Sequence, residues 1–316
     1  MVSNKILLMG GIIIDSYMVV DYYPERGQDT FILDSFERVG GCSINVANTL
    51  KNFGCMPYIV SAVGDDPRGN LILQYLTKAG FDTTCIKILH GEKSGYCLTI
   101  LDSNGERTFL TYKGCEEKFD LSMISEDLIN QVDLTYVTGY FLLNKKYHTA
   151  ILNVLDKLKT ASSKIMFDPG PLVGYINKDM LTSVLKRADV LVPNTVESER
   201  IKTKLGFKKD LPFWALENGI TLILEKMGDK GVKVWTKDAY HIIPPYKVKS
   251  VDTTGAGDSF AGALIYGLIR NFSLEDAVHF ASACGALATT LAGPHGDFGL
   301  DEVMQVMEKR KEHYKC

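Results

Sequence analysis

Val251-Asp252-Thr253-Thr254-Gly255-Ala256-Gly257-Asp258-Ser259-Phe260 is the stretch on which the interpretation of this 316-residue sequence depends. It leads into small and apolar residues that predict a helix over Asp258–Arg270. Gly255 and Gly257 carry no side chains, so a ligand can approach the backbone amides before this helix closely. Unpaired amides and the positive end of a helix dipole together bind anions. The sequence therefore predicts a phosphate cradle at this point of the chain.

Asp258 stands at the beginning of the predicted helix, and two interpretations of it remain open at this point. One is an ordinary N-cap or first-turn carboxylate of the helix. The other is a general base, because a carboxylate beside a bound phosphoryl group can take the proton from an attacking hydroxyl. The flanking glycines favour the second interpretation, since an anion-stabilising cradle uses them and a cap does not require them.

Short apolar runs alternate with amphipathic runs along most of the chain. The predicted strands are Lys5–Gly10, Tyr58–Ala62, Leu134–Thr138, Lys164–Asp168, Val190–Pro193 and Ile220–Glu225. The predicted helices are Ser43–Phe53, Gly69–Ala79, Tyr147–Lys159, Lys178–Arg187, Leu211–Asn218, Asp258–Arg270, Leu274–Leu291 and Asp301–Glu312. Such alternation is typical of a parallel sheet covered on both faces. We therefore expect one α/β domain over residues 1–316, with a doubly wound, mostly parallel sheet.

Two segments, residues 12–36 and 94–112, interrupt this alternation because their strand patterns have no helix between them. In the second, Asp102–Glu106 has the composition of a hairpin turn. We expect these strands to form a small antiparallel sheet beside the main one. Ligands of open α/β sheets bind at the carboxyl ends of the parallel strands. The small sheet is therefore either a lid over such a site or an edge hairpin without a role.

Composition narrows the class of protein. Hydrophobic residues make up 46% and charged residues 23%, and a net charge of −3 leaves no basic excess for nucleic acid. The longest apolar runs are too short to predict a membrane-spanning helix. Seven scattered cysteines without a CxxC pair favour free thiols in a reducing cytoplasm. P-loop, GxGxxG, HExxH and GxSxG patterns are absent, which argues against the enzyme classes that they mark.

The run DTTGAGD at residues 252–258, followed by SFAGAL, resembles the C-terminal signature of the ribokinase (PfkB-type) carbohydrate kinase family. Gly40–Ala47 resembles the family's N-terminal signature. Four further motifs follow the family's order, namely Val63–Gly69, Gly105–Thr108, Phe167–Gly170 and Pro193–Glu197. The six motifs together span nearly the whole chain. The resemblance implies a ribokinase-like fold with a β lid and an ATP-dependent kinase for a hydroxyl of a small sugar.

The same resemblance implies which residues act on the sugar. Asp258 matches the family's general base, and the anion hole is matched by Gly255, Ala256 and Gly257. Asp15, after the first strand, matches the carboxylate that binds substrate hydroxyls. Three more substrate contacts are implied by the N-terminal signature, namely Gly40, Gly41 and Asn45. Taken singly, these residues also suit a tight turn, a solvated helix position and an exposed strand end, so only their joint occurrence carries the assignment.

For ATP and cations, the resemblance implies a second group of residues. The expected ATP contacts are Asn194, Lys226, Gly228, Gly231 and Ser282. Asn194 and Glu197 match an NxxE motif that positions Mg²⁺ largely through water, which suits an ion that keeps its hydration shell. Asp252 matches a position near a monovalent-cation site in many members, so K⁺ is a further expected cofactor.

The identity of the sugar depends on departures from the family pattern. Cys42 stands where ribokinases carry a lysine, and Gly10–Asp15 is more apolar than the corresponding stretch of ribokinases. Both features weaken the assignment to ribokinase, and Gly40–Ala47 is more similar to fructokinase-like or uncharacterised sugar kinases. Asp168-Pro169-Gly170 replaces the usual DPN, which exchanges a polar side chain for a flexible glycine near the site. An already phosphorylated sugar would require basic side chains, for which the candidates are Arg38, Arg68 and Arg107.

Two alternatives to a sugar kinase stay open. A nucleoside or pseudouridine kinase on the same fold would need an aromatic pocket, for which the candidates are Tyr17, Tyr22, Tyr23 and Phe31. The same rings would also suit a homodimer that forms through two lids. A non-catalytic sugar sensor is the second alternative, and the intact acid at Asp258 argues against it. In every case the expected partner is a small molecule rather than nucleic acid or a membrane.

Overall fold

The computed structural model describes residues 4–103, 106–291, 293 and 296–313. In chain order, its strands are β1 Lys5–Met9, β2 Ile13–Val20, β3 Ile32–Gly40, β4 Tyr58–Gly64, β5 Ile86–Leu89, β6 Tyr96–Leu101, β7 Arg107–Tyr112, β8 Val132–Thr138, β9 Lys164–Asp168, β10 Val190–Leu191, β11 Leu222–Lys226, β12 Val232–Thr236 and β13 Tyr240–Ile243. Its α-helices are α1 Cys42–Asn52, α2 Pro67–Ala79, α3 Glu126–Ile129, α4 His148–Thr160, α5 Lys178–Leu185, α6 Thr195–Leu205, α7 Leu211–Glu217, α8 Ala256–Ile269, α9 Leu274–Ala288 and α10 Leu300–His313. In the described part of the chain, no helix is both long and apolar enough to span a membrane.

The main sheet has nine strands in the order β13-β12-β11-β10-β9-β8-β1-β4-β5. All neighbours are parallel except β11, β12 and β13, which pair antiparallel at one edge. One hydrophobic core packs α1, α8 and α9 against one face, and a second packs α4 to α7 against the other. The predicted mostly parallel, doubly wound α/β fold is therefore confirmed. Its central strands are buried on both faces, which explains why they appear in the sequence as continuous apolar runs.

A second, four-stranded sheet has the order β3-β2-β6-β7. β2 pairs parallel with β6, and the other two pairs are antiparallel. The register aligns Asp15 with Arg38 on one side and with Cys97 on the other, so these three side chains share one face. The role of this sheet as a lid stays a prediction. Of the predicted hairpin turn, Asn104 and Gly105 lie outside the described residues.

Helix α2 illustrates how local sequence fixes an element. Asp66 is its N-cap and accepts a hydrogen bond from the Gly69 amide at 2.7 Å, and Pro67 occupies the first turn, where its missing N–H costs nothing. Gly80 ends the helix in the left-handed conformation. The Asp66 carboxylate also accepts bonds from the amide and hydroxyl of Ser94. This cap therefore ties the helix to the segment that enters the second sheet.

Some elements differ from the sequence-based expectation. No helix was predicted between Arg187 and Leu211, where the structure has α6. The signal that identifies this helix is the capping box between Asn194 and Glu197. The hairpin of β12 and β13 was not predicted either. β3 continues to Gly40, beyond the predicted end of the first lid segment at residue 36, because its last residues stay paired with β2.

Candidate active site

A cavity of about 940 Å³ opens at the carboxyl ends of the parallel strands. Thr138 ends β8, Asp168 ends β9 and Lys226 ends β11, and all three line this cavity. Asn194 follows β10, forms a β-bridge with Lys226 and lines it as well. Ligands of open α/β sheets bind at this edge, near the point where the strand order reverses. The sheet therefore brings residues from four separate segments to one site.

Helix α8 begins beside the cavity with free amides in its first turn. Its N-cap is Gly255, whose φ of +74° is a left-handed conformation that glycine adopts without strain. Among the described contacts, the Ala256 amide donates to the Thr253 carbonyl at 3.3 Å, whereas the amides of Gly255, Gly257 and Asp258 have no described acceptor. All four residues of this turn line the cavity. The start of α8 can therefore bind an anion there.

The carboxylate of Asp258 lies next to these amides and is partly buried. Its Oδ2 accepts a hydrogen bond from Nδ2 of Asn45 at 2.8 Å. Burial raises the pKa of Asp258 to about 7, and the negative charge of Asp168 adds to this, while Asn45, Lys226 and Cys42 oppose it. Gly255 is the N-cap of the helix, so Asp258 does not cap it but is the acidic residue of its first turn. A carboxylate with a pKa near neutral is suited to accept a proton at physiological pH.

Lys226 brings a positive charge to the same cavity. Its Nζ lies 3.1 Å from Oδ2 of Asp168, and a methyl group on Gly257 would lie 3.6 Å from it. Burial works against the charged ammonium, but the carboxylates of Asp168 and Glu197 outweigh it and raise the pKa of Lys226. The ammonium is therefore held in its charged form beside the free amides of α8. This combination of charge and amides suits a bound phosphate chain.

Asn194 and Glu197 form the capping box of α6 at the wall of the cavity. The Asn194 amide donates to Oε2 of Glu197 at 2.8 Å, and Nδ2 of Asn194 donates to Oε1 at 2.9 Å. Both carboxylate oxygens are thus engaged within the protein, and burial raises the pKa of Glu197. These residues fit Mg²⁺ as partners of its water ligands, because carboxylate oxygens that already accept one bond can accept a second from water.

The predicted sugar-binding residues lie outside the walls of this cavity, towards the second sheet. A methyl group on Gly40 would overlap the Asp15 carboxylate, so the absence of a side chain there makes room for this acid. Gly41 has a φ of +99°, and a methyl group on it would lie 2.6 Å from the Gly11 carbonyl oxygen. Burial raises the pKa of Asp15 to about 6. Asn45 connects this side to the cavity through its bond to Asp258.

The predicted ATP residues lie in the walls of the cavity itself. Gly228, Gly231 and Ser282 line the cavity, and both glycines have positive φ, +61° and +90°. Cys42 and Asp168, known from the sequence only as positions of family motifs, also line the cavity. Sequence reasoning missed three further wall residues, namely Val232, Tyr246 and Lys247. Tyr246 and Lys247 belong to an extended segment without a helix or strand pattern, so no periodicity could have revealed them.

Asp252 lies in the loop before α8 and is nearly buried, with 8% of its surface exposed. Its Oδ1 accepts a bond from the Thr254 amide at 2.7 Å and lies 2.8 Å from Nη1 of Arg107, and its Oδ2 accepts a bond from the Gly293 amide at 2.9 Å. The carboxylate is therefore already surrounded by donors. Binding of a monovalent cation near Asp252 stays a prediction.

Solved structures define the class of fold. Ribokinase from Thermotoga maritima superimposes with a TM-score of 0.82 at 25% identity, over 96% of this chain and 99% of the other. A putative ribokinase II from Escherichia coli in complex with ATP and Mg²⁺ superimposes with a TM-score of 0.81 at 23% identity, over 97% of this chain and 99% of that one. The chain thus has the ribokinase-like α/β fold.

Residues 4–297 match the pfkB family of carbohydrate kinases, and the chain belongs to this family. It is accordingly a phosphotransferase with an alcohol group as acceptor. Fructokinase-1 of Zea mays is similar, with 27% identity over 309 residues that cover 92% of this chain and 96% of the relative. The predicted membership in a ribokinase-type kinase family is therefore confirmed.

Proposed function

We propose that this protein transfers the γ-phosphate of ATP to a hydroxyl of a small, unphosphorylated sugar, with Asp258 as the general base. One observation carries the proposal. A carboxylate whose pKa is raised to about 7 lies in one cavity with the unpaired amides of Gly255, Gly257 and Asp258 at the start of α8. A base and an anion-stabilising group side by side are what phosphoryl transfer to an alcohol requires.

The transfer would proceed as a single displacement. Asp258 takes the proton of the attacking hydroxyl, whose oxygen forms a bond to the γ-phosphorus. The bond from this phosphorus to the oxygen that bridges it to the β-phosphate breaks, and ADP leaves. The free amides of Gly255 and Gly257, which belong to the proposed anion hole Gly255–Gly257, stabilise the charge on the transferring group. Asn45 holds the carboxylate of the base in position.

ATP would lie along the cavity wall formed by Asn194, Lys226, Gly228, Gly231 and Ser282. The Lys226 ammonium is well situated to meet the phosphates because it lies beside Asp168 and Gly257. Asn194 and Glu197 would hold Mg²⁺ through its water ligands, and the ion would offset the negative charge of the triphosphate. Each of these residues contributes binding and orientation rather than a chemical step.

The sugar would lie between the main sheet and the second sheet, which would serve as a lid. The strand registers put Asp15 and Arg107 on the same face of the second sheet, and Arg107 reaches Asp252 in the loop before α8. That face is therefore turned towards the start of α8, and Asp15 with it. Arg107 is engaged with Asp252, Arg68 stacks on Tyr96 and Arg38 lies over the Phe36 ring. These contacts of all three candidate arginines favour a neutral sugar over a sugar phosphate. The similarity to fructokinases supports a fructokinase-like substrate.

Asp258→Asn tests the proposal. We expect ATP binding to persist and kcat to fall by ~10²–10⁴-fold, because the variant lacks only the proton acceptor. Asp276→Asn is a matched control, since Asp276 occupies the same first-turn position in α9 and is exposed. A near-normal kcat in Asp258→Asn would remove Asp258 from the role of base.

A nucleoside acceptor is the second candidate, and one observation favours it. Tyr17 and Phe36 share the Asp15 face of the second sheet, and their rings stack at 4.6 Å. Such an aromatic surface would also suit a nucleobase. A panel of sugars, sugar phosphates and nucleosides, with ATP consumption as the readout, separates the two. Tight sugar binding without turnover on any acceptor would instead indicate a sensor.

The second sheet also supports a proposed homodimer through two lids. The exposed apolar side chains in this sheet include Leu33, Phe109 and Leu110, and Phe31 directly precedes β3; each is more than half exposed. In the described part of the chain the cysteines are free thiols. This supports a reducing, cytoplasmic location as part of the proposal.

A further inference from the structure

Arg107 connects the second sheet to the loop that precedes α8. It is the first residue of β7, and its Nη1 lies 2.8 Å from Oδ1 of Asp252 and donates to Oγ1 of Thr254 at 2.9 Å. Only 22% of its side chain is exposed. This contact joins residues that are 147 positions apart in the chain. A guanidinium held by two partners in a partly buried place is a built contact rather than a loose surface pair.

Asp252 needs such a partner because it is charged and nearly buried. Burial acts to raise the pKa of this carboxyl, but the Thr254 and Gly293 amides and the Arg107 guanidinium outweigh it, so its pKa is lowered. An ionised carboxylate out of water is costly unless an opposite charge or several donors compensate it. Arg107 is the cation that meets this carboxylate in the described part of the chain.

The position of Asp252 matters for the anion hole. Its two oxygens hold the amides of Thr254 and Gly293, at 2.7 and 2.9 Å. Thr254 directly precedes Gly255, the N-cap of α8, so any shift of this loop moves the free amides of the first helical turn. Charge balance at Asp252 is therefore linked to the geometry that would receive the transferring phosphoryl group.

We propose that Arg107 is a positioning residue that supplies, from within the chain, the positive charge that the family resemblance assigns to a monovalent cation at Asp252. The described groups around Asp252 do not fit an added K⁺, because the guanidinium already lies against Oδ1. Turnover of this enzyme is then independent of monovalent cations. This inference rests on the proposed function, since it concerns the anion hole of the same reaction.

The test compares wild type with Arg107→Ala and Arg107→Lys in KCl, NaCl and tetramethylammonium chloride at equal ionic strength. For wild type we expect the same kcat and the same melting temperature in all three salts. Arg107→Ala should lose about 100-fold in kcat, the order of loss that a misplaced catalytic group produces. K⁺ or added guanidinium should restore part of this kcat, and K⁺ should raise the melting temperature of this variant alone. Arg107→Lys should keep most of the activity in every salt.

Arg26→Met is a matched control, because Arg26 is an exposed arginine in the connection between β2 and β3. It removes the same charge away from Asp252 and should behave like wild type. The inference would be overturned if K⁺ raised both the kcat and the melting temperature of wild type above their values in the other two salts. It would also be overturned if Arg107→Ala had the same kcat and melting temperature as wild type in every salt. If Arg107→Ala does not fold, the wild-type kcat and melting temperature in the three salts decide. The melting temperatures need no turnover, so they test Arg107 even where the wild type phosphorylates no sugar and the proposed function fails.

Discussion

Asn45→Ala tests how the pKa of the proposed base is set. Nδ2 of Asn45 donates to Oδ2 of Asp258 at 2.8 Å and lowers a pKa that burial raises to about 7. A hydrogen bond to an ionised group contributes about 1.5–3 kcal/mol, and Asp258 is partly exposed, so the lower end applies. Since about 1.4 kcal/mol corresponds to one pKa unit, we expect the pKa of Asp258 to rise to about 8 in the variant.

The assay is kcat/KM for the sugar as a function of pH. A base must be ionised, so activity is present above its pKa and is lost as the pH falls through it. At pH 7 the ionised fraction of Asp258 falls from about one half in wild type to about one tenth in Asn45→Ala, a loss of roughly fivefold. Any lost contact between Asn45 and the sugar reduces activity equally at all pH values. The height of the plateau at alkaline pH therefore reports the lost sugar contact, whereas the position of the acid limb reports the pKa of Asp258.

Asn52→Ala is the control, because Asn52 lies on the same helix and its Nδ2 donates to the Gly296 carbonyl at 2.9 Å instead of to the base. In the pH profile of kcat/KM, the acid limb of Asn52→Ala should coincide with that of wild type. Titration of ATP and of Asp15, whose pKa is raised to about 6, is common to all three proteins and cancels in the comparison. An acid limb that stays in place or moves to lower pH in Asn45→Ala would refute the reasoning.

Two further substitutions test the sugar side and the fold. Gly40→Ala should raise KM for the sugar, because the added methyl group displaces the Asp15 carboxylate. Steady-state kinetics should show an unchanged KM for ATP, and an equal rise in both KM values would contradict this expectation. Asp66→Ala should lower the free energy of unfolding by about 1–2 kcal/mol in urea titrations, because α2 loses its N-cap bond to Gly69. An unchanged midpoint of the urea unfolding transition would show that the cap does not contribute to stability.

Much of the fold could be predicted because parallel strands are buried on both faces and form distinct apolar runs. The predicted strand Lys164–Asp168 coincides with β9, and the predicted helix Ser43–Phe53 differs from α1 by one residue at each end. The start of α8 could also be predicted. Two glycines just before a helix, Gly255 and Gly257, indicate a turn in which a ligand can approach the backbone amides. A structural feature can therefore be predicted from the sequence where the residues that determine it lie in one segment of the chain.

Other features could not be predicted because they arise only when distant segments meet. The bond between Asn45 and Asp258 joins residues 213 positions apart, and nothing in either segment indicates the other's position. Lys226 was expected from the family motif, but its ion pair with Asp168 depends on the adjacency of strand ends in the sheet. α6 was missed because its polar residues hide the helical pattern, although its capping box was present in the sequence.

The pKa of Asp258 follows from a balance that the sheet edge imposes. Burial and the Asp168 carboxylate favour the protonated acid, whereas Asn45 and the Lys226 ammonium favour the ionised base. A triphosphate entering the same cavity adds negative charge, which shifts the balance towards the protonated form. The ammonium and a magnesium ion that arrives with the nucleotide act in the opposite direction. The cationic groups proposed to bind ATP would therefore also keep the proposed base able to accept a proton at neutral pH.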